Sequence, residues 1–137
     1  MTTLNIGRLS HMVLTVNDIK QSREFYTNVL GFDIIKEFPE ANRVLMTNGD
    51  VVIGIGLPPD LSQAPNFDSF SEHRVGLDHA SFFVESHDAL LEAIKIFDAN
   101  NVPYGEIEDL SPNGFPIYVL AFRDPNNIQL ELAAPAT

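Results

Sequence analysis

Leu77-Asp78-His79-Ala80-Ser81-Phe82-Phe83-Val84 repeats the plan of Leu9-Ser10-His11-Met12-Val13-Leu14-Thr15-Val16, with the two histidines 68 positions apart (79 minus 11). Both runs are short, apolar and rich in β-branched or aromatic residues, the pattern of a strand. After the first, Asn17-Asp18 can cap a helix running to about Leu30. That helix would pack Ile19, Phe25, Tyr26, Val29 and Leu30, and Gly31 stands where a left-handed cap is needed. After the second, a helix from Ser86 to about Ala99 would carry Leu90, Leu91, Ile94 and Phe97 as its apolar stripe. Three strand-like runs follow each helix, near 32–38, 42–47 and 50–57 in the first half and near 103–109, 115–122 and 127–133 in the second.

The halves also end alike. Asp50-Val51-Val52-Ile53-Gly54-Ile55 lies over Asn127-Ile128-Gln129-Leu130-Glu131-Leu132 at an offset of 77, so nine extra residues fall in the second half's loops. They are placed around Asp109 to Phe115, where Asn113-Gly114 reads as a turn. The expected fold class is α+β, a duplicated β-α-β-β-β unit within a single domain over 1–137. The pseudo-symmetric modules cover about 8–57 and 76–134, and the stretch 58–75, rich in Pro, Ser and Asp, links them.

Eight Lys plus Arg against nineteen Asp plus Glu give a formal charge of −11, which repels phosphate backbones and anionic membrane surfaces. Nucleic acid and membrane are therefore not expected as partners. No apolar run approaches the roughly 20 residues that span a bilayer, and no basic region followed by an apolar stretch opens the chain, so the cytoplasm is the expected location. Cysteine is absent, which removes disulfides and thiolates and leaves any metal to imidazole and carboxylate.

Strand alternation places His11 with Val13 and Thr15, His79 with Ser81 and Phe83, and Glu131 with Gln129 and Ala133. Two imidazoles and one carboxylate on a rigid sheet make a facial metal set with coordination positions left open, suited to Fe, Mn, Co, Ni or Zn rather than Ca or Mg. A strand histidine is also commonly a hydrogen-bonded structural residue, and Glu131 between leucines also fits an outward-facing edge position. Residue types and spacing leave both readings open.

Ser10-His11-Met12-Val13-Leu14-Thr15-Val16-Asn17-Asp18, then Ser22, Phe25-Tyr26 and Leu30-Gly31-Phe32, resembles the opening of vicinal oxygen chelate proteins, the glyoxalase, bleomycin resistance and extradiol dioxygenase superfamily. Gly76-Leu77-Asp78-His79 and Phe122-Arg123-Asp124-Pro125-Asn126-Asn127-Ile128-Gln129-Leu130-Glu131 are similar to the start and end of the second module there. The resemblance covers about residues 8 to 134. It implies paired modules forming a curved mixed sheet around a metal cup, commonly in a homodimer whose modules from two chains complete each cup. It also implies one divalent metal held by His11, His79 and Glu131.

The reaction is not chosen by the resemblance. The leading expectation is an enzyme acting on a small oxygen-chelating substrate, with lyase or isomerase chemistry through a metal-stabilised enolate or oxyanion and Glu131 as general base. Two alternatives stand beside it, an Fe(II) dioxygenase of extradiol type and a metal-free drug-binding protein. Gly54 stands where glyoxalase I enzymes usually carry a fourth ligand, a Glu. Ala121 stands where extradiol enzymes carry a Tyr, and no His precedes it in Pro112 to Gly114; Tyr118 would replace that Tyr only through a shift of strand register. A metal-free cavity would draw on Phe82, Phe83, Phe115, Tyr118 and Phe122, which ordinary core packing explains equally. Arg123 reads as a solvated residue at a turn or as a contact for an anionic substrate. Glu72, His73 and Arg74 would form part of a lid.

Overall fold

The structure, a computed structural model, describes residues 2–137. The chain forms two compact units that divide between Pro65 and Asn66. The first contains β1 (His11–Thr15), α1 (Ile19–Glu24), β2 (Asp33–Phe38), β3 (Arg43–Thr47) and β4 (Val52–Gly56) in a four-stranded sheet of order β1-β4-β3-β2. The second contains β5 (Ala80–Phe83), α2 (His87–Ala99), β6 (Glu108–Asp109), β7 (Ile117–Arg123) and β8 (Gln129–Pro135) in order β5-β8-β7-β6. In each, the first and last strands pair in parallel and the remaining pairs are antiparallel. The α+β class and the β-α-β-β-β plan of both modules are thereby established.

The duplication extends to hydrogen-bond register. Val13 lies opposite Gly54, and Gly54 opposite Leu45; in the second sheet Ser81 lies opposite Glu131, and Glu131 opposite Ala121. Both sequence offsets, 68 for the first strand and 77 for the last, survive as spatial equivalences.

One face of each sheet is sealed by its helix. In the first unit, Leu14, Val44, Met46, Ile53 and Ile55 alternate onto that face and are buried, as are Phe25 and Tyr26. Asp18 caps α1 through a 3.0 Å bond to the Gln21 N–H. The helix then widens into a π turn over Phe25–Val29, with the Leu30 N–H bonding to the Phe25 carbonyl at 3.2 Å. Gly31, at φ +77°, ends it where an L side chain would be strained.

In the second unit Ser86 caps α2 through the Ala89 N–H, and Phe97 stacks on Phe122 with ring centroids 4.6 Å apart. Leu90 and Phe97 are buried, but Leu91 is exposed, because adjacent helical residues cannot both face the sheet.

Two expected strands are shorter than the apolar pattern suggests. The expected strand from Leu77 begins at Ala80, because the Asp78 carbonyl receives the Gln129 side-chain amide at 3.0 Å instead of a ladder partner. The run expected near 103–109 shrinks to Glu108–Asp109, with Tyr104 held to Phe122 by an isolated bridge. Pro103 lacks an N–H for a ladder, and the contact with β7 is held to the Gly105 N–H on the Ala121 carbonyl and the Arg123 N–H on the Pro103 carbonyl, so regular pairing starts only at β6.

Because Phe97 is buried against Phe122, Phe97→Ala should cost about 3–5 kcal/mol of stability, whereas Leu91→Ala on the exposed face should change it by under about 1 kcal/mol. Urea unfolding of the two variants checks both values; equal midpoints would contradict the packing described.

Candidate metal centre

His79 and Glu131 meet on the open face of the second sheet. The parallel pairing of β5 with β8 sets the residue preceding β5 beside the start of β8, and His79 Nε2 lies 3.8 Å from Glu131 Oε2. On the other side of the ring, His79 Nδ1 is 2.7 Å from Asp78 Oδ1. A carboxylate only accepts, so Nδ1 donates this bond and Nε2, turned towards Glu131, is the ring nitrogen placed to ligate a metal. Gln129 secures the carboxylate in turn, its Nε2 donating to the Asp78 carbonyl at 3.0 Å and to Asp78 Oδ1 at 3.1 Å. A chain of contacts Gln129, Asp78, His79, Glu131 thus fixes tautomer and ring orientation together.

These side chains line a cavity of about 300 Å³ with Glu106 and Glu108, floored by the small residues Gly105 and Ala121. Its lining is acidic. A pair 3.8 Å apart can be spanned by metal bonds of about 2.0–2.2 Å from nitrogen and oxygen, and the imidazole and carboxylate donors suit a divalent transition metal. Among the described residues, no three His, Asp or Glu side chains converge as a complete set.

His11, on the first sheet, keeps the equivalent position at the start of β1 but in other surroundings. Its Nδ1 is 3.0 Å from the Ser10 hydroxyl, which can donate or accept and so leaves the tautomer open. The cavity beside it, about 410 Å³, is walled by Val13, Phe38, Leu45 and Val52, with Arg43 at its side. At Gly54, the register equivalent of Glu131, an added Cβ would lie 3.1 Å from Leu45 Cδ2 and 3.1 Å from Val13 Cγ2. Leu45 and Val13 close over the place where the second module presents its carboxylate.

The aromatic candidates separate. Phe82, Tyr118 and Phe122 alternate onto the helix-covered face of the second sheet, where Tyr118 meets His87 edge-on at 4.9 Å. Phe83 and Phe115 are exposed. The register of β7 is unshifted, so Ala121 and not Tyr118 stands opposite Glu131. Arg123, expected either to be solvated or to contact substrate, is engaged by protein groups. Its Nη1 lies 2.8 Å from Glu72 Oε2, and it donates to the Asn127 carbonyl at 3.2 Å. His73 is exposed, while Phe70 bonds to the Asn126 carbonyl and Glu72 to Arg123, which ties this stretch to the closing turn of the second module.

Asp78 and Gln129 as the support of His79, and Arg43 in the first cavity, were not signalled by the motif. Asp78 is adjacent to the histidine it holds, and Arg43 is the one cation on the alternating face Arg43, Leu45, Thr47 of β3. Those are the signs by which sequence could have found them.

A sequence profile of the Glyoxalase/Bleomycin resistance protein/Dioxygenase superfamily matches residues 8–132, and the chain belongs to that superfamily. A catechol-2,3-dioxygenase of Bacillus subtilis (strain 168) is 30% identical over 95 residues, covering 56% of this chain and 33% of that protein. The chain thus matches about a third of that relative's length. Among solved structures, a glyoxylase/bleomycin resistance protein/dioxygenase domain from Frankia sp. EAN1pec aligns with TM-score 0.80 and 27% identity over 96% of this chain and 93% of that one. Lactoylglutathione lyase from Agrobacterium tumefaciens has the same fold, with TM-score 0.72 and 22% identity over 96% of each chain. So does the fosfomycin resistance protein FosX from Listeria monocytogenes, with TM-score 0.70 and 20% identity over 94% of this chain and 93% of that one.

The Arg123 hydrogen bond holds the Glu72 carboxyl below its ordinary pKa, against a smaller opposing effect of desolvation. A depressed folded-state pKa contributes stability above the unfolded value, and that contribution disappears as pH falls through the folded value. Carboxyl-detected NMR titration should place the Glu72 midpoint below that of an unperturbed Glu, and Arg123→Gln should move it up. An unmoved midpoint would show that the pair is not formed in solution.

Proposed function

We propose that the protein is a divalent-metal-dependent enzyme acting on a small oxygen-chelating substrate, with lyase or isomerase chemistry. The observation that carries this reading is the His79 ring held by Asp78 with its Nε2 turned towards Glu131. His79 and Glu131 would hold the metal, with His11 as third ligand, the residue that occupies in the first module the place of His79 in the second. The metal, among Fe, Mn, Co, Ni and Zn, would supply Lewis acidity towards adjacent oxygens of the substrate. Asp78 and Gln129 keep the imidazole in its ligating tautomer, and Glu106 and Glu108 bias the cavity towards cations. Glu131, with a second carboxylate oxygen beyond the one facing His79, would accept the proton removed from the substrate and return it. The same reading takes a homodimer as the working unit.

Protein purified without an affinity tag and reconstituted with each of the five metals should take up about one ion per chain, and His79→Ala should abolish the uptake. Asp78→Asn should weaken metal affinity by about 10- to 100-fold while leaving the fold intact. No stoichiometric uptake of any of these metals, or unchanged affinity in Asp78→Asn, would defeat the reading. Glu131→Gln retaining both metal and turnover would remove Glu131 from its role.

The likeness to a catechol-2,3-dioxygenase favours a second reading, an Fe(II) ring-cleaving dioxygenase. Against it stands Ala121, which brings no phenol to the side of Glu131. Oxygen uptake by the anaerobically iron-loaded protein across a catechol panel separates the two; no uptake leaves the lyase or isomerase reading.

A further inference from the structure

We infer that the cavity on the first module's sheet is a binding site for a small monocarboxylate with an apolar body of about one ring, its carboxylate on Arg43 and its body against Val13, Leu45, Val52 and Phe38. The inference goes beyond the reading above, for it gives the first module a ligand site of its own that does not depend on the metal centre of the second.

Three features of the first sheet lead there. The open face of β3 and β4 carries two glycines, and at each the neighbouring side chain leans into the space a Cβ would fill. Leu45 and Val13 close over Gly54, and the Arg43 Cγ lies 3.1 Å from the ideal Cβ position of Gly56. The aliphatic stem of Arg43 therefore lies flat across the sheet, which sets its guanidinium at the side of an apolar floor rather than out in solvent.

That guanidinium has no ion-pair or hydrogen-bond partner among the described residues, whereas Arg23 pairs with Glu37 and Arg123 with Glu72. An unpaired guanidinium beside apolar walls is a planar two-pronged donor suited to a carboxylate. The cavity volume of about 410 Å³ falls in the range of small-molecule sites.

Charge argues in the same direction. The chain carries a net −11, and the cavity of the second module is lined by Asp78, Glu106, Glu108 and Glu131. A free anion is repelled by that lining, and Arg43 is the one cationic residue lining either cavity. An amphipathic carboxylate thus finds its counter-charge and its apolar contact in the same place. A neutral ligand of the same shape would leave the guanidinium desolvated without a partner.

The test uses the full chain freed of metal with a chelator, so that it does not depend on the metal centre. Phenylacetate is titrated while the methyl resonances of Val13, Leu45 and Val52 are followed by NMR, with Ile53 on the opposite face as control. The neutral isostere 2-phenylethanol is titrated in parallel. Saturable shifts of the three methyl groups are expected, with 2-phenylethanol about 10- to 100-fold weaker and Arg43→Gln weakening phenylacetate to the same degree.

Equal affinity for the two probes would overturn the assignment, as would the absence of saturable shifts. So would movement of the same methyl groups on simple dilution of the protein, which would mean that a second copy of the chain covers the face. Should Arg43→Gln fail to fold, the comparison of the two probes on the unaltered protein still decides. Phenylacetate binding by a protein that takes up no metal would sustain this inference while the metal reading falls. Metal uptake without phenylacetate binding would do the reverse.

Discussion

Parallel pairing of the first and last strands is the constraint on which each module's open face depends. Sequence neighbours in an antiparallel hairpin meet by proximity, but a parallel pair joins the two ends of the unit after a helix and two further strands have intervened. In the second module this brings His79 and Glu131, 52 residues apart, to 3.8 Å. In the first it brings His11 beside Val52 and Val13 beside Gly54. One backbone plan therefore delivers a polar cavity and an apolar one, and the difference lies in the side chains at matched register.

The polar cavity has an energetic logic of its own. Glu131 is only 18% exposed and Glu106 and Glu108 are close by. Carboxylates gathered with partial desolvation and few donors are unfavourable unless a cation joins them. The hydrogen-bond donors that are present, the Gln129 amide and the His79 Nδ1–H, are both spent on Asp78. A cation taken up there, as proposed, would relieve that repulsion and so stabilise the folded module.

Much of this was legible in the sequence because duplication is a signal that does not depend on local propensity. The two offsets located both ends of each module, and alternation grouped His79 with Ser81 and Glu131 with Gln129, which the pairing of β5 with β8 then brings onto one face. What escaped reading was set by contacts between residues distant in sequence. The start of β5 depends on Gln129 reaching back to the Asp78 carbonyl. The engagement of Arg123 depends on Glu72, 51 residues earlier. Leu91 shares the composition of a core residue with Leu90, and only the helix's rotation relative to the sheet separates them. Tyr118 was resolved by register, a property of the β7–β8 pair rather than of either strand alone.

Gly54 carries a consequence for how such a fold can change over time. A Cβ there would lie 3.1 Å from Leu45 Cδ2 and from Val13 Cγ2, so a carboxylate gained by one substitution requires both of these side chains, which form an apolar floor, to give by a few tenths of an ångström. The intermediate, with a charged group forced among leucine and valine, is less stable than either end point. The order in which changes could be made is therefore constrained, as in epistasis: Leu45 and Val13 would have to give way before a carboxylate at position 54 could be accommodated.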